Sequence, residues 1–220
     1  MNMARFDCAT WKPITGNTGG PVNPNIGLVL HHAVANGSLY DTFEHGDVSA
    51  HFWVSYTGII EQYVDSETAA WHAGSAVGNT QYCGVETEGC SQSPYADPMT
   101  DAMVDALATL YAEGHRRHGW PFALAEAPGR PGFAYHRLFS ATACPCQIRV
   151  DARAEILTLA GETVDHPPVP IDLEGETVTS YYADNTHHVY AQRDDGTVDH
   201  WWQDLATRPP AWNHETLPKP

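Results

Sequence analysis

Residues 26–33 read Ile-Gly-Leu-Val-Leu-His-His-Ala, and this stretch decides the fold. A short unbroken apolar run suits a strand covered on both faces. Such strands sit at the centre of sheets packed between helices. The run ends in two histidines, so imidazoles are delivered to the edge of the core, where α/β proteins gather their chemistry.

Working outward, residues 1–25 are rich in Gly, Pro and Asn and read as an arm leading to this strand. Ser38 is a candidate cap for a short helix to about residue 45. A hairpin follows, His51-Phe-Trp-Val-Ser-Tyr56 and Ile59-Ile-Glu-Gln-Tyr-Val64, turning at Thr57-Gly58. Tyr82–Thr87 reads as a further strand. Thr100 is the expected N-cap of a helix to about residue 118, with apolar positions 103, 104, 107, 110, 111 and 114 on one face. A last helix over 147–160 places Ile148, Ala152, Ile156 and Leu159 together and is expected to stop at Gly161. The fold class is therefore α/β, a mixed sheet flanked by helices.

Three segments follow from this layout. Residues 1–161 form the main α/β domain, 162–172 a Pro-rich linker, and 173–220 a small all-β segment with runs at 176–182, 187–192 and 197–202. Asp194-Asp-Gly196 marks a turn between two of those runs.

Composition narrows the function. A formal charge of −16, from 27 acids against 11 Lys and Arg, leaves no basic stripe for nucleic acid. No run reaches the ~18 apolar residues of a membrane span. The 13 histidines raise the case for a metal site. The five cysteines (8, 83, 90, 144, 146) lack the spacing of a disulfide scaffold. Met1-Asn-Met-Ala-Arg-Phe-Asp-Cys8 has no apolar stretch behind a basic start. The expectation is synthesis in the cytoplasm without a signal peptide; for the protein to act outside, something else must release it.

A catalytic zinc site needs three protein ligands and an open position. Spacing alone makes His31, His136 and Cys144 only one choice among many. The ordered motifs add more: Leu-Val-Leu-His31-His32-Ala, Ser-Ala-His51-Phe, Gly58-Ile-Ile-Glu-Gln-Tyr-Val, Ala-Trp71-His72-Ala-Gly, Gly84-Val-Glu86-Thr-Glu-Gly, His136, and Thr142-Ala-Cys144-Pro. Over residues 25–160 the chain resembles the zinc N-acetylmuramoyl-L-alanine amidases related to peptidoglycan recognition proteins and phage endolysins.

The resemblance implies zinc held by His31, His136 and Cys144, with bacterial peptidoglycan as substrate. It implies that Glu86 is the general base and that Thr142 supports the oxyanion. Glu88 shares the strand face of Glu86 and is the rival base. Trp71 and His72 are expected to line the substrate groove, with Trp71 as a core residue the alternative. His32 and His51 are expected to support the site, and His115 and His118 to lie on the surface. Two departures stand out. Ala50 replaces the Tyr that one branch carries before His-Phe, which shifts base catalysis toward Glu86. Cys146 replaces the usual Gly after Cys-Pro, as a bystander, an alternative ligand or an oxidation liability. Whether Cys83 and Cys90 pair is open.

Residues 188–218 resemble one blade of a sugar-binding β-propeller lectin, through Asp195-Gly196, His200-Trp-Trp202 and Trp212. That resemblance implies a wall-binding segment with Trp201, Trp202 and Trp212 as candidate platforms. A single blade has exposed edges, so homo-oligomerisation through it is a further expectation. The rival functions are a non-catalytic peptidoglycan-binding or lectin-type protein on this scaffold, or a wall-recycling amidase.

Overall fold

The computed structural model describes residues 4–89, 97–165, 177–183, 186–193, 195, 197–204 and 212–218. The chain divides into two compact units, Met1–Gly161 and Glu162–Pro220.

Unit one is built on a six-stranded mixed sheet. Its strands are β1 (Thr10–Trp11), β3 (Gly27–His32), β4 (Phe52–Val54), β5 (Ile60–Gln62), β7 (Cys83–Thr87) and β8 (Gly132–Tyr135), in the order β1-β5-β4-β7-β3-β8. The β4–β5 hairpin is antiparallel and every other pair is parallel. β3 lies between β7 and β8, and all six of its residues are buried. That is why its apolar run is continuous rather than alternating. Gly27 is required there: a Cβ would meet the Gly132 carbonyl oxygen at 1.9 Å, so only glycine lets β3 and β8 approach. A small sheet pairs β2 (Thr18–Pro21) with β6 (Thr68–Ala70).

Among the described residues the α-helices are α1 (Tyr40–His45), α2 (Ala76–Gln81), α3 (Asp101–His118) and α4 (Gln147–Asp165). α3 begins where expected, the Thr100 hydroxyl accepting the Met103 amide proton at 3.1 Å. It ends at Gly119, whose φ of 72° is the left-handed cap that glycine supplies. Met103, Leu107, Leu110 and Tyr111 are buried on its apolar face.

Four local expectations change. The N-terminal arm is part of the fold: Phe6 is buried, and the Asp7 and Cys8 amides donate to Glu113 at 2.6 and 3.0 Å. The N-cap position of α1 is Leu39 rather than Ser38, although the Ser38 hydroxyl accepts the Tyr40 amide proton at 3.3 Å while also bonding Glu61 and Tyr63. α4 runs past Gly161 to Asp165, because no backbone reversal is imposed at the glycine and the first proline comes only at Pro167. The buried stripe of α4 is Arg149, Arg153, Ile156, Leu157, Leu159 and Ala160, while Ile148 is exposed. Two arginines thus occupy core positions, on a face that the apolar spacing does not mark.

Unit two contains an antiparallel four-stranded sheet in the order β12-β11-β10-β9, formed by β9 (Thr177–Ala183), β10 (Thr186–Gln192), β11 (Val198–Asp204) and β12 (Trp212–Leu217). Asp199 is buried and accepts from the Thr216 hydroxyl at 2.6 Å and from Arg193 at 2.6 Å. The half-buried Trp202 stacks on His200, ring centroids 4.8 Å apart. The side chains of Trp201 and Trp212 lie outside the described residues. Among the described residues no helix is long and apolar enough to cross a membrane.

Candidate metal centre

The parallel registers of the sheet assemble the site. His31 on β3 pairs with Glu86 on β7, so the two side chains share one face. Leu30 pairs with Tyr135 at the end of β8, which brings the next residue, His136, beside His31. Cys144 reaches the same point from the loop before α4. The Thr142 hydroxyl accepts the Cys144 amide proton at 3.2 Å, and the His32 amide donates to the Cys144 sulfur at 3.3 Å. One donor atom from each of His31, His136 and Cys144 lies within 4.8 Å of the others. His31 Nδ1 is 3.1 Å from His136 Nδ1 and 3.8 Å from Cys144 Sγ.

Proton bookkeeping tests whether a cation fits here. His72 Nε2 faces the Tyr82 carbonyl at 3.3 Å, and a carbonyl only accepts, so His72 carries its proton there. His72 Nδ1 is then an acceptor, and His31 Nε2 donates to it at 3.0 Å. This leaves His31 Nδ1 as a lone pair. The His136 ring bonds the Ala73 backbone, which directs its Nδ1 lone pair toward His31. Two lone pairs meeting at 3.1 Å with a sulfur alongside repel one another unless a positive charge is shared between them. Burial opposes a proton in that role, since it holds His31 and His72 well below the usual imidazole range and lowers His136. A divalent cation with N and S preferences fits the donor set.

Glu86 completes the cluster. Its Oε1 is 3.7 Å from His31 Nδ1, while Oε2 is buried without a hydrogen-bond partner. Burial pushes its carboxyl up to about 8. Burial, aided by the Glu86 charge, pushes the Cys144 thiol up to about 12. A cation in the site reverses both tendencies by favouring the anionic forms.

Of the other expected residues, Thr142 lies two residues before Cys144 and orders that loop. Trp71 is 39% exposed, its ring resting on Gly19, where an added Cβ would meet the ring at 2.6 Å. His72 is buried behind His31 rather than open to solvent, and a Cβ at Gly84 would meet its ring at 2.5 Å. Glu88 is committed elsewhere, its carboxylate accepting the Gly37 and Tyr56 amide protons at 2.6 and 2.8 Å. Ala50 is fully buried. Cys83 is a buried free thiol, and Cys90 lies outside the described residues. His118 is half-buried, bonded to Ser66 and stacked on Trp120.

His51 gives a pH-dependent stability. It is buried, its Nδ1 accepting from Gly84 and its Nε2 donating to Thr68 O, each at 2.9 Å. Burial lowers its pKa to about 4 from an ordinary 6.5. Below pH 6.5 the unfolded chain therefore takes up a proton that the folded chain refuses. Stability falls by about 1.4 kcal/mol per pH unit toward pH 4, or about 2 kcal/mol at pH 5. Chemical denaturation of metal-free wild type and His51→Gln at pH 7 and 5 should show the variant relieved of that loss. Equal pH dependence in both would remove His51 as the cause.

Together the fold and site define an α/β domain that presents a His–His–Cys donor cluster and a buried carboxylate at the ends of its central strands. A family model described as N-acetylmuramoyl-L-alanine amidase matches residues 21–147, more than half of the chain. The chain belongs to the N-acetylmuramoyl-L-alanine amidase family.

Solved structures share the fold. An endolysin N-acetylmuramoyl-L-alanine amidase, LysCS from Clostridium intestinale URNW, superposes with a TM-score of 0.53 at 16% identity, over 70% of this chain and 97% of that one. A selenomethionine derivative of AmpD gives 0.55 at 21% identity, over 71% and 98%. The PlyG catalytic domain gives 0.53 at 14% identity, over 74% and 98%. A search of curated proteins finds no match.

Proposed function

We propose that this chain is a zinc-dependent, lysin-type amidase that hydrolyses the bond between the lactyl group of N-acetylmuramic acid and the L-alanine of the stem peptide. The observation that carries this reading is the convergence of His31, His136 and Cys144 beside Glu86 in a domain of the amidase family. His31 and His136 would hold zinc through Nδ1 and Cys144 through its thiolate. Zinc so held supplies a Lewis acid for the amide carbonyl and lowers the pKa of water.

The protein's own groups do the rest. Glu86 Oε2, buried and without another partner, takes a proton from the attacking water and returns it to the departing amide nitrogen. One water and one amide become a lactyl carboxylate and a free amine. The Thr142 oxygen is occupied by the Cys144 amide proton, so its hydroxyl keeps a proton to donate to the carbonyl oxygen. Trp71 offers its exposed ring to the sugar or peptide. His72 orients His31, and its burial supports that role over direct substrate contact. The non-catalytic alternative calls for a missing donor, and all three donors are present. The sheet of unit two is proposed as the wall-binding segment. Its edge strands β9 and β12 are the elements through which copies would associate.

The test is product analysis by mass spectrometry after incubating the full chain with peptidoglycan, with and without a chelator. Stem peptides with a free N-terminal L-alanine should appear and should vanish with the chelator. New reducing-end sugars, or the same peptides undiminished by chelation, would overturn the proposal.

A further inference from the structure

Arg149 on α4 is fully buried. Its Nε donates to the Thr87 hydroxyl at 2.7 Å, and its Nη2 to the Glu88 carbonyl at 2.9 Å. Its Nη1 donates to the Asp97 carbonyl at 3.0 Å and to the Cys146 sulfur at 3.3 Å. These four bonds engage all three nitrogens of the guanidinium. Their acceptors are a hydroxyl, two carbonyls and a thiol, so the cation is solvated by the protein rather than neutralised by a carboxylate among them.

The partners are not scattered. Thr87 and Glu88 directly follow Glu86 on its strand. The Thr87 hydroxyl, while accepting from Arg149, donates to the His31 carbonyl at 2.7 Å. Cys146 is two residues past Cys144, across Pro145. One rigid planar side chain thus ties the strand pair carrying His31 and Glu86 to the loop carrying Cys144. These two parts meet only in the folded chain.

We propose that Arg149 is a positioning residue that sets the Cys144 loop against the His31–Glu86 strands, acting through Thr87 on one side and Cys146 on the other. This inference rests on the metal-site reading above. Cys146 supplies the sulfur end of the link. Lysine could keep the positive charge but not the planar fork that reaches several acceptors at once.

The test compares the full-length wild type with Arg149→Lys and Thr87→Val. Zinc affinity is measured by competition with a chromophoric chelator, and the sulfur-to-metal absorption band is recorded on the cobalt(II) forms. Kinetics are then measured on the zinc forms. Both variants should bind zinc about 10- to 100-fold more weakly and show a displaced cobalt band. They should lower kcat while leaving KM within about twofold. A loss confined to packing would lower thermal stability and leave the cobalt band in place. Wild-type affinity and an unmoved band in either folded variant would overturn the proposal. If Arg149→Lys does not fold, Thr87→Val, which removes one hydroxyl, decides alone. A wild type that binds no zinc would instead overturn the metal-site reading.

Discussion

On the proposed zinc mechanism, His31→Ala and Cys144→Ala should each lower kcat/KM for amide hydrolysis by at least about 10³-fold, because several kcal/mol of transition-state stabilisation would leave with the metal. The two donors fail for different reasons. Removing His31 deletes the central imidazole, whose Nδ1 lies near both other ligands and whose Nε2 is anchored on His72. Removing Cys144 takes away the one ligand that carries charge when ionised, leaving two neutral imidazoles, a weak set for a divalent ion. Cys144→Asp should recover part of the activity, since an aspartate restores an anionic donor. Metal content by elemental analysis should follow activity through the series. A Cys144→Ala protein with full zinc and full turnover would sink the ligand assignment and make Cys146 the residue to test next.

Glu86→Gln should be nearly as damaging while leaving the metal in place. General-base assistance contributes about 10²- to 10⁴-fold, so kcat should fall within that range with KM little changed. Glutamine preserves the volume and the register with His31, which keeps the change chemical rather than structural. The separation matters because Glu88 lies two residues away. Its carboxylate holds the 37 and 56 loops through backbone amides, so Glu88→Gln should act on stability instead. Full activity in Glu86→Gln with bound zinc would move proton transfer to another group.

Much of this centre is legible along the chain because strand chemistry is local. An unbroken apolar run reads as a doubly covered strand, and the histidine pair at its end falls at the rim of the core. The hairpin at 51–64 and the Thr100 cap are likewise local signals, carried by period-two alternation and by one hydroxyl three residues ahead of the amide it caps. The arm over residues 1–25 carries no such local signal. Its anchors, Gln62, Asp65 and Glu113, lie tens of residues away, and a Gly- and Pro-rich segment gives no sign of what it will bond.

α4 shows the limit most clearly. Arg149 and Arg153 look like a solvent face, yet both are buried, because acceptors from β7, β8 and the 97 and 125 loops surround their guanidinium groups. A charged residue belongs in a core only when its partners are already there, and those partners are fixed by topology rather than by neighbours in the chain. His72 follows the same logic. Beside Trp71 it looks like a groove residue, but the turn after β6 buries it behind His31, where it sets the tautomer of that ring.

Local residue pattern is thus sufficient for the central strand and the helix over 101–118, and the family resemblance carried by the motifs singles out His31, His136 and Cys144 as the donors to examine. Each rests on short-range periodicity or on an ordered set of motifs. Only the folded chain reveals which nitrogen of His31 faces the cluster, that Glu86 keeps an unpartnered oxygen, and that a buried arginine joins the two parts of the site. Those facts depend on atoms brought within hydrogen-bond range by sheet register and helix docking, at separations along the chain that no local pattern encodes.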